Sequence, residues 1–124
     1  MSIRVIIVDD HAVVRSGLRL LLEAEKGLEP VGEAGNARDA VFHARALKPD
    51  VILLDWNMPV MDGMTFLRQL RAEPGGMAPT VLFCTVENDP ARITEALEAG
   101  ADEYVMKPFD RETLHIKLQL VGVA

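Results

Sequence analysis

Polar residues that could do chemistry close four apolar runs of this chain. Asp9 and Asp10 follow "IRVIIV" (3–8), Asp55 closes "DVILLD" (50–55), Thr85 closes "TVLFCT" (80–85) and Lys107 closes "DEYVMK" (102–107). An ionised carboxylate at the end of a buried-looking segment is costly unless a cation, a metal or hydrogen bonds meet it. Three carboxylates in one pocket repel one another, so their convergence calls for a cation. Oxygen donors without a Cys or His cluster favour Mg²⁺ or another hard cation over zinc. One lysine does not neutralise three acids, but it can pair with an incoming phosphoryl group, and a threonine hydroxyl can hydrogen-bond the same group. Each residue alone has a plainer role. Paired Asp after a strand commonly caps a helix, a threonine commonly ends a strand, and a lysine is commonly solvated. The set becomes a site only if the fold gathers it.

The elements that must do the gathering are legible in the hydrophobic pattern. The runs 3–8, 50–55 and 80–85 are nearly continuous and rich in β-branched residues, as in parallel strands covered on both faces. "EPVGEA" (29–34) and 102–107 are more polar, which predicts edge strands. Helical patterns lie between. Over 12–26, Val14, Leu18, Leu21 and Leu22 recur at helical spacing. The segment 36–47 opens on Asn36 with Asp39 three residues on, an N-cap signature. Over 62–72, Phe66, Leu67 and Leu70 share a face. "NDPARITEALEAGA" (88–101) has Asp89 as cap, Pro90 at the first turn and Gly100 just past the end. Over 110–121, Asp110 is the cap and Leu114, Leu118 and Val121 form a stripe. "EPGG" (73–76) reads as a surface loop. Strand and helix thus alternate five times, which predicts an α/β, doubly wound (βα)5 fold with helices on both faces of a five-stranded parallel sheet. In such sheets sites form beyond the carboxyl ends of the strands, where the strand order reverses. In the flavodoxin-like order 2-1-3-4-5, the first and third strands are neighbours and Asp9, Asp10 and Asp55 converge.

A chain of 124 residues suits one domain, here 1–124, and 49% hydrophobic composition argues against disorder. The net charge of −6 argues against a general nucleic-acid binder, which needs a basic face. The single cysteine, Cys84, excludes an internal disulfide and reads as a small core hydrophobe. No apolar run approaches the ~20 residues of a membrane span, and the N-terminal run meets acids too early for a signal peptide. The expected compartment is the cytoplasm.

With these residues in place, the sequence resembles the receiver domain of two-component response regulators over essentially its whole length. The resemblance is carried by "VDDH" (8–11), "LLDWNMPVMDG" (53–63), "CT" (84–85) and "MKPF" (106–109). It implies that Asp55 is the phosphoacceptor, taking a phosphoryl group from a histidine kinase. It implies Mg²⁺ held by Asp10, Asp55 and the backbone carbonyl of Asn57, with Asp9 acting through water. Lys107 would balance phosphoryl charge, Thr85 would bond a phosphoryl oxygen, and Thr85 and Tyr104 would form the switch. The Lys107–Pro108 bond would be cis. Asn57 and Glu87 match positions that tune the phosphoryl lifetime. Val86 departs from the Ala or Gly usual after the threonine, and its added bulk would hinder small donors or attacking water at the phosphoryl pocket. The implied output is a downstream protein bound through the helix 88–101, strand 102–107 and helix 110–121 face, by a monomer or weak dimer with no direct contact to nucleic acid or membrane.

The first half of the chain resembles receivers of the NarL/FixJ type, the second half chemotaxis receivers of the CheY type. The leading reading is a stand-alone phosphoryl switch, not an enzyme beyond slow autodephosphorylation. The alternatives are an isolated NarL/FixJ-type receiver lacking its DNA-binding domain, and an engineered chimera joined near 50–55. A haloacid-dehalogenase-type phosphohydrolase is a poorer match, because it wants a second acid where Asn57 stands and its nucleophile on the first strand of its motif order. Flavin binding lacks a phosphate loop after the first strand.

Overall fold

The computed structural model describes residues 2–55, 63–73, 79–85, 90–106 and 110–122. The elements are β1 (Ile3–Val8), α1 (Ala12–Glu23), β2 (Leu28–Ala34), α2 (Ala37–Leu47), β3 (Val51–Asp55), α3 (Gly63–Ala72), β4 (Thr80–Thr85), α4 (Pro90–Ala99), β5 (Glu103–Met106) and α5 (Arg111–Leu120). All strand pairs are parallel and the order is β2-β1-β3-β4-β5. This is the α/β flavodoxin-like architecture that the alternation predicts, with the two polar strands at the edges.

Side chains alternate across the strands, so each continuous apolar run feeds two cores. Ile6, Val8, Ile52, Leu54, Val81 and Phe83 pack against Ala40 and Ala44 of α2, Phe66, Leu67 and Leu70 of α3, and Ala96 of α4. Val5, Ile7, Val51, Leu53, Leu82, Cys84 and Val105 pack against Leu22 of α1 and Leu114 and Leu118 of α5. The predicted stripes on α3 and α5 are the faces buried.

Local chemistry sets the ends. Asn36 Oδ1 accepts from the N–H of Asp39 at 2.8 Å, and Asp110 Oδ1 from that of Thr113 at 2.8 Å. The first helix ends at Glu23 rather than 26, because Gly27 at φ +92° turns the chain into β2 and Leu28 N donates to Glu25 O. β3 begins at Val51 rather than 50, since Asp50 bridges strands instead: Oδ2 accepts from Arg4 N at 2.9 Å and its carbonyl from Thr80 N at 2.9 Å. Pro30 lies in edge strand β2, where its missing N–H is tolerated, and the β1–β2 register shifts beside it. Asp89, Pro108 and positions 74–76 of the expected loop lie outside the described residues.

Arg71 ties α3 to the next two strands. Its side chain is only 9% exposed. Nη1 donates to Pro79 O at 2.7 Å, Nη2 to Gly100 O at 2.7 Å and to Asp102 Oδ2 at 3.0 Å. That same carboxylate oxygen accepts from Val81 N at 2.8 Å, which explains why Asp102 serves as a brace and β5 begins one residue later.

Candidate functional site

Register places the acids. Val8 pairs with Leu54, so one further residue along both strands brings Asp9 abreast of Asp55. Asp9 and Asp55 are the buried charged residues among those described, 1% and 6% exposed. Their burial follows from β1 and β3 being central strands covered on both faces. Asp10 stands one residue further out, with its side chain 20% exposed.

The turn from β1 into α1 is held tightly. Asp9 N donates to Ala34 O at 3.0 Å, Asp9 Oδ1 accepts from His11 N at 2.9 Å, and Asp9 O accepts from Arg15 Nη1 at 2.6 Å. Arg15 is itself anchored, with Nε 3.3 Å from Glu33 Oε1 on β2. The same Glu33 carboxylate pairs with Arg19. These contacts fix where the two acids emerge.

Ligand atoms from Asp9, Asp10, His11 and Asp55 all lie within 4.8 Å of one another. The Asp10 Oδ1 atom is buried and makes no hydrogen bond. His11 Nδ1 lies 3.0 Å from it, as an ion-pair partner when the imidazole is protonated. A buried carboxylate oxygen that no hydrogen bond satisfies is a donor a hard cation could use. The donor chemistry of the three carboxylates therefore fits a divalent cation such as Mg²⁺.

The structure brings Asp9, Asp10 and Asp55 together as the sequence predicts. The His11 imidazole also stands among the acids. His11 was in plain view beside Asp10, and its proximity to a predicted cation site was the available signal. Arg15 carried none, since an arginine one turn into a helix reads as solvated. The backbone of Thr85 ends β4, while its side chain and all of Asn57, Val86, Glu87 and Lys107 lie outside the described residues. Tyr104 is half-buried on β5 and pairs with Phe83, two residues before Thr85. Its ring centroid is 6.1 Å from that of Phe83, and Lys117 Nζ lies 4.3 Å from its centre. Lys117 also reaches to 3.6 Å from Glu103 Oε1.

A five-stranded parallel sheet of this order, with acids at the carboxyl ends of its first and third strands, defines a class of signalling domain. The chain belongs to the response regulator receiver domain family, whose profile matches residues 5–119. Receiver domains are signalling switches of two-component systems. The chain is 42% identical over 111 residues to a protein-glutamate methylesterase/protein-glutamine glutaminase of Alkalilimnicola ehrlichii, covering 88% of this chain and 28% of that protein. It is 41% identical over 111 residues to the nitrate/nitrite response regulator protein NarP of Escherichia coli, covering 90% of this chain and 51% of that one. Among solved structures, the chemotaxis protein CheY4 of Vibrio cholerae superposes with a TM-score of 0.87 at 33% identity, covering 98% of this chain and 99% of that one. The chain thus spans about half or less of the length of these curated relatives. No described helix is long and apolar enough to cross a membrane.

Proposed function

We propose that the chain is a phosphoryl-accepting switch in which Asp55 is the phosphoacceptor. The observation that carries this is the meeting of three carboxylates at the ends of β1 and β3, with a buried Asp10 oxygen that no hydrogen bond satisfies. An Asp55 carboxylate oxygen attacks the phosphorus of a kinase phosphohistidine. An O–P bond forms, the P–N bond breaks with its electron pair going to the ring nitrogen, and the histidine leaves as neutral imidazole, the one ring proton it needs coming from solvent. The product is an acyl phosphate. Asp10, Asp55 and the Asn57 carbonyl would hold Mg²⁺, with Asp9 acting through water. The ion would supply charge neutralisation for the transferring group. Asp9 fixes the turn that carries Asp10, and Arg15 fixes Asp9. Lys107 pairs with the phosphoryl oxygens and Thr85 donates to one of them. Asn57, Val86 and Glu87 set how readily water or a donor reaches the phosphorus. Thr85 and Tyr104 transmit the change to a downstream protein at the α4–β5–α5 face, where Leu97, Ile116 and Leu120 are exposed. The chain itself does no turnover beyond slow autodephosphorylation. It acts in the cytoplasm, as a monomer or weak dimer, without contacting nucleic acid or membrane.

A second reading makes this receiver the regulatory part of a longer protein, gating a DNA-binding or catalytic domain. It is favoured by the fraction of each curated relative that the chain spans, 28% and 51%.

The test is phosphotransfer from a small phosphodonor, with and without Mg²⁺. Wild-type protein should gain a hydroxylamine-sensitive phosphoryl group only with the metal, and Asp55→Asn should gain none. Equal labelling of the variant would place the acceptor elsewhere.

A further inference from the structure

We infer that Lys117 is a positioning residue for the switch: its ammonium, seated on the Tyr104 ring and tied to Glu103, holds that ring at rest until phosphorylation turns it. This rests on the reading of Tyr104 as a switch residue and adds what restrains it.

Lys117 stands in the last turn of α5, and its Nζ lies 4.3 Å from the centre of the Tyr104 ring. A cation within about 6 Å of a ring centroid is attracted by the ring's quadrupole, more strongly where water is excluded. The Lys117 side chain is only 20% exposed, so solvent screens the contact little. Tyr104 packs against the core that holds Ile6, Val8 and Phe83, whereas Leu114 and Leu118 of α5 belong to the other core. Lys117 therefore reaches round β5, the edge strand, to meet a ring that packs on the opposite face of the sheet.

The ammonium has a second anchor. It lies 3.6 Å from Glu103 Oε1, and that oxygen accepts from Tyr104 N at 2.9 Å. The carboxylate is thus bound to the backbone of the residue whose ring the ammonium covers, so Lys117 is held in place when the ring moves. Phe83 is a further partner of the ring, with centroids 6.1 Å apart, within the range of favourable aromatic pairs. It is buried on β4, two residues before Thr85, and carries no charge. A turn of the Tyr104 side chain carries the ring off the ammonium, so the cation–π attraction is present in one state and lost in the other. Such a difference between states is what shifts a two-state equilibrium.

Tyr104 is the one tyrosine of the chain, so isotope-labelled tyrosine gives a single set of ring signals. The experiment reads them by NMR in the full chain, with and without a small phosphodonor and Mg²⁺, and follows the initial rate of labelling alongside. The variants are Lys117→Met, which keeps an unbranched helix-forming side chain, and Lys117→Arg, which keeps the cation. In wild type the ring signals should move on phosphorylation. In unphosphorylated Lys117→Met they should already lie part of the way along the same path. Its resting-to-turned ratio should fall about 5-fold, the factor that one partly desolvated cation–π contact is worth. Labelling should speed up by a similar factor, because the competent fraction rises with it. Lys117→Arg should match wild type in both readouts. Wild-type signals and rate in Lys117→Met overturn the inference while leaving Asp55 and Tyr104 their roles. An equal change in Lys117→Arg overturns the part of the cation, because packing alone would then account for the effect. Ring signals that stay put when wild type is phosphorylated overturn the switch reading of Tyr104, and this inference with it.

Discussion

Without metal, the gathered acids oppose folding, so removing one charge should stabilise the protein. Asp10→Asn is the cleanest change, because it keeps the side chain's shape. Oxygens of Asp9, Asp10 and Asp55 lie within 4.8 Å of each other. At that separation two unit charges repel by about 3.5 kcal/mol with an effective dielectric near 20. His11 and the hydrogen bonds at Asp9 offset part of this. A net gain of about 1–2 kcal/mol is expected, since protein and solvent relaxation take up the rest. For a domain of this size that raises Tm by about 3–10 °C. The assay is differential scanning calorimetry in EDTA and again with Mg²⁺. Metal at ten times Kd adds about 1.4 kcal/mol to a protein that binds it. Wild type should therefore close most of the gap when Mg²⁺ is added, while the variant barely moves. A variant less stable than wild type in EDTA would refute the reasoning, because it would mean that Asp10 is held by favourable contacts instead of strained by its neighbours.

Arg71→Ala should destabilise by about 2–4 kcal/mol in urea unfolding, because it strips donors from the carbonyls of Pro79 and Gly100 in a largely buried setting; a loss under about 0.5 kcal/mol, as at ordinary surface sites, would contradict the brace. The amide of Thr113 bonds the Asp110 carboxylate and holds its pKa below the usual value. The cap's contribution is then complete above the unfolded Asp pKa of about 3.9 and fades as pH falls through the lower folded value. Asp110→Asn should flatten that acid limb of the stability curve, and an unchanged limb would remove the cap as its source. Val86→Ala should be labelled faster by a small phosphodonor and should lose its phosphoryl group faster, as a smaller side chain than β-branched valine opens the way to the phosphorus. Equal or slower time courses would show that position 86 does not gate access.

The hydrophobic periods and the caps are local, so the sequence by itself determined them. Continuous runs at 3–8, 50–55 and 80–85 mark strands buried on two faces, and the more polar 29–34 and 102–107 mark the edges. Asn36 and Asp110 cap the helices they were expected to cap. Asp9 and Asp55 were legible as costly acids because each directly ends an apolar run. Their meeting was legible once the parallel order was assumed. Other features depend on groups that are distant in sequence. Arg15 reads as a surface arginine until β2 brings Glu33 beside it and β1 presents the Asp9 carbonyl. Arg71 becomes a brace only when Gly100, Pro79 and Asp102 arrive from later segments. His11 shows its direction only when α1 starts with the cap unused and the ring turned onto the acids. A residue's own neighbours in sequence fix which face it occupies. What that face meets is set by register and crossover, which sum weak contacts over the whole sheet, and these alone placed the imidazole and the arginines around the carboxylates.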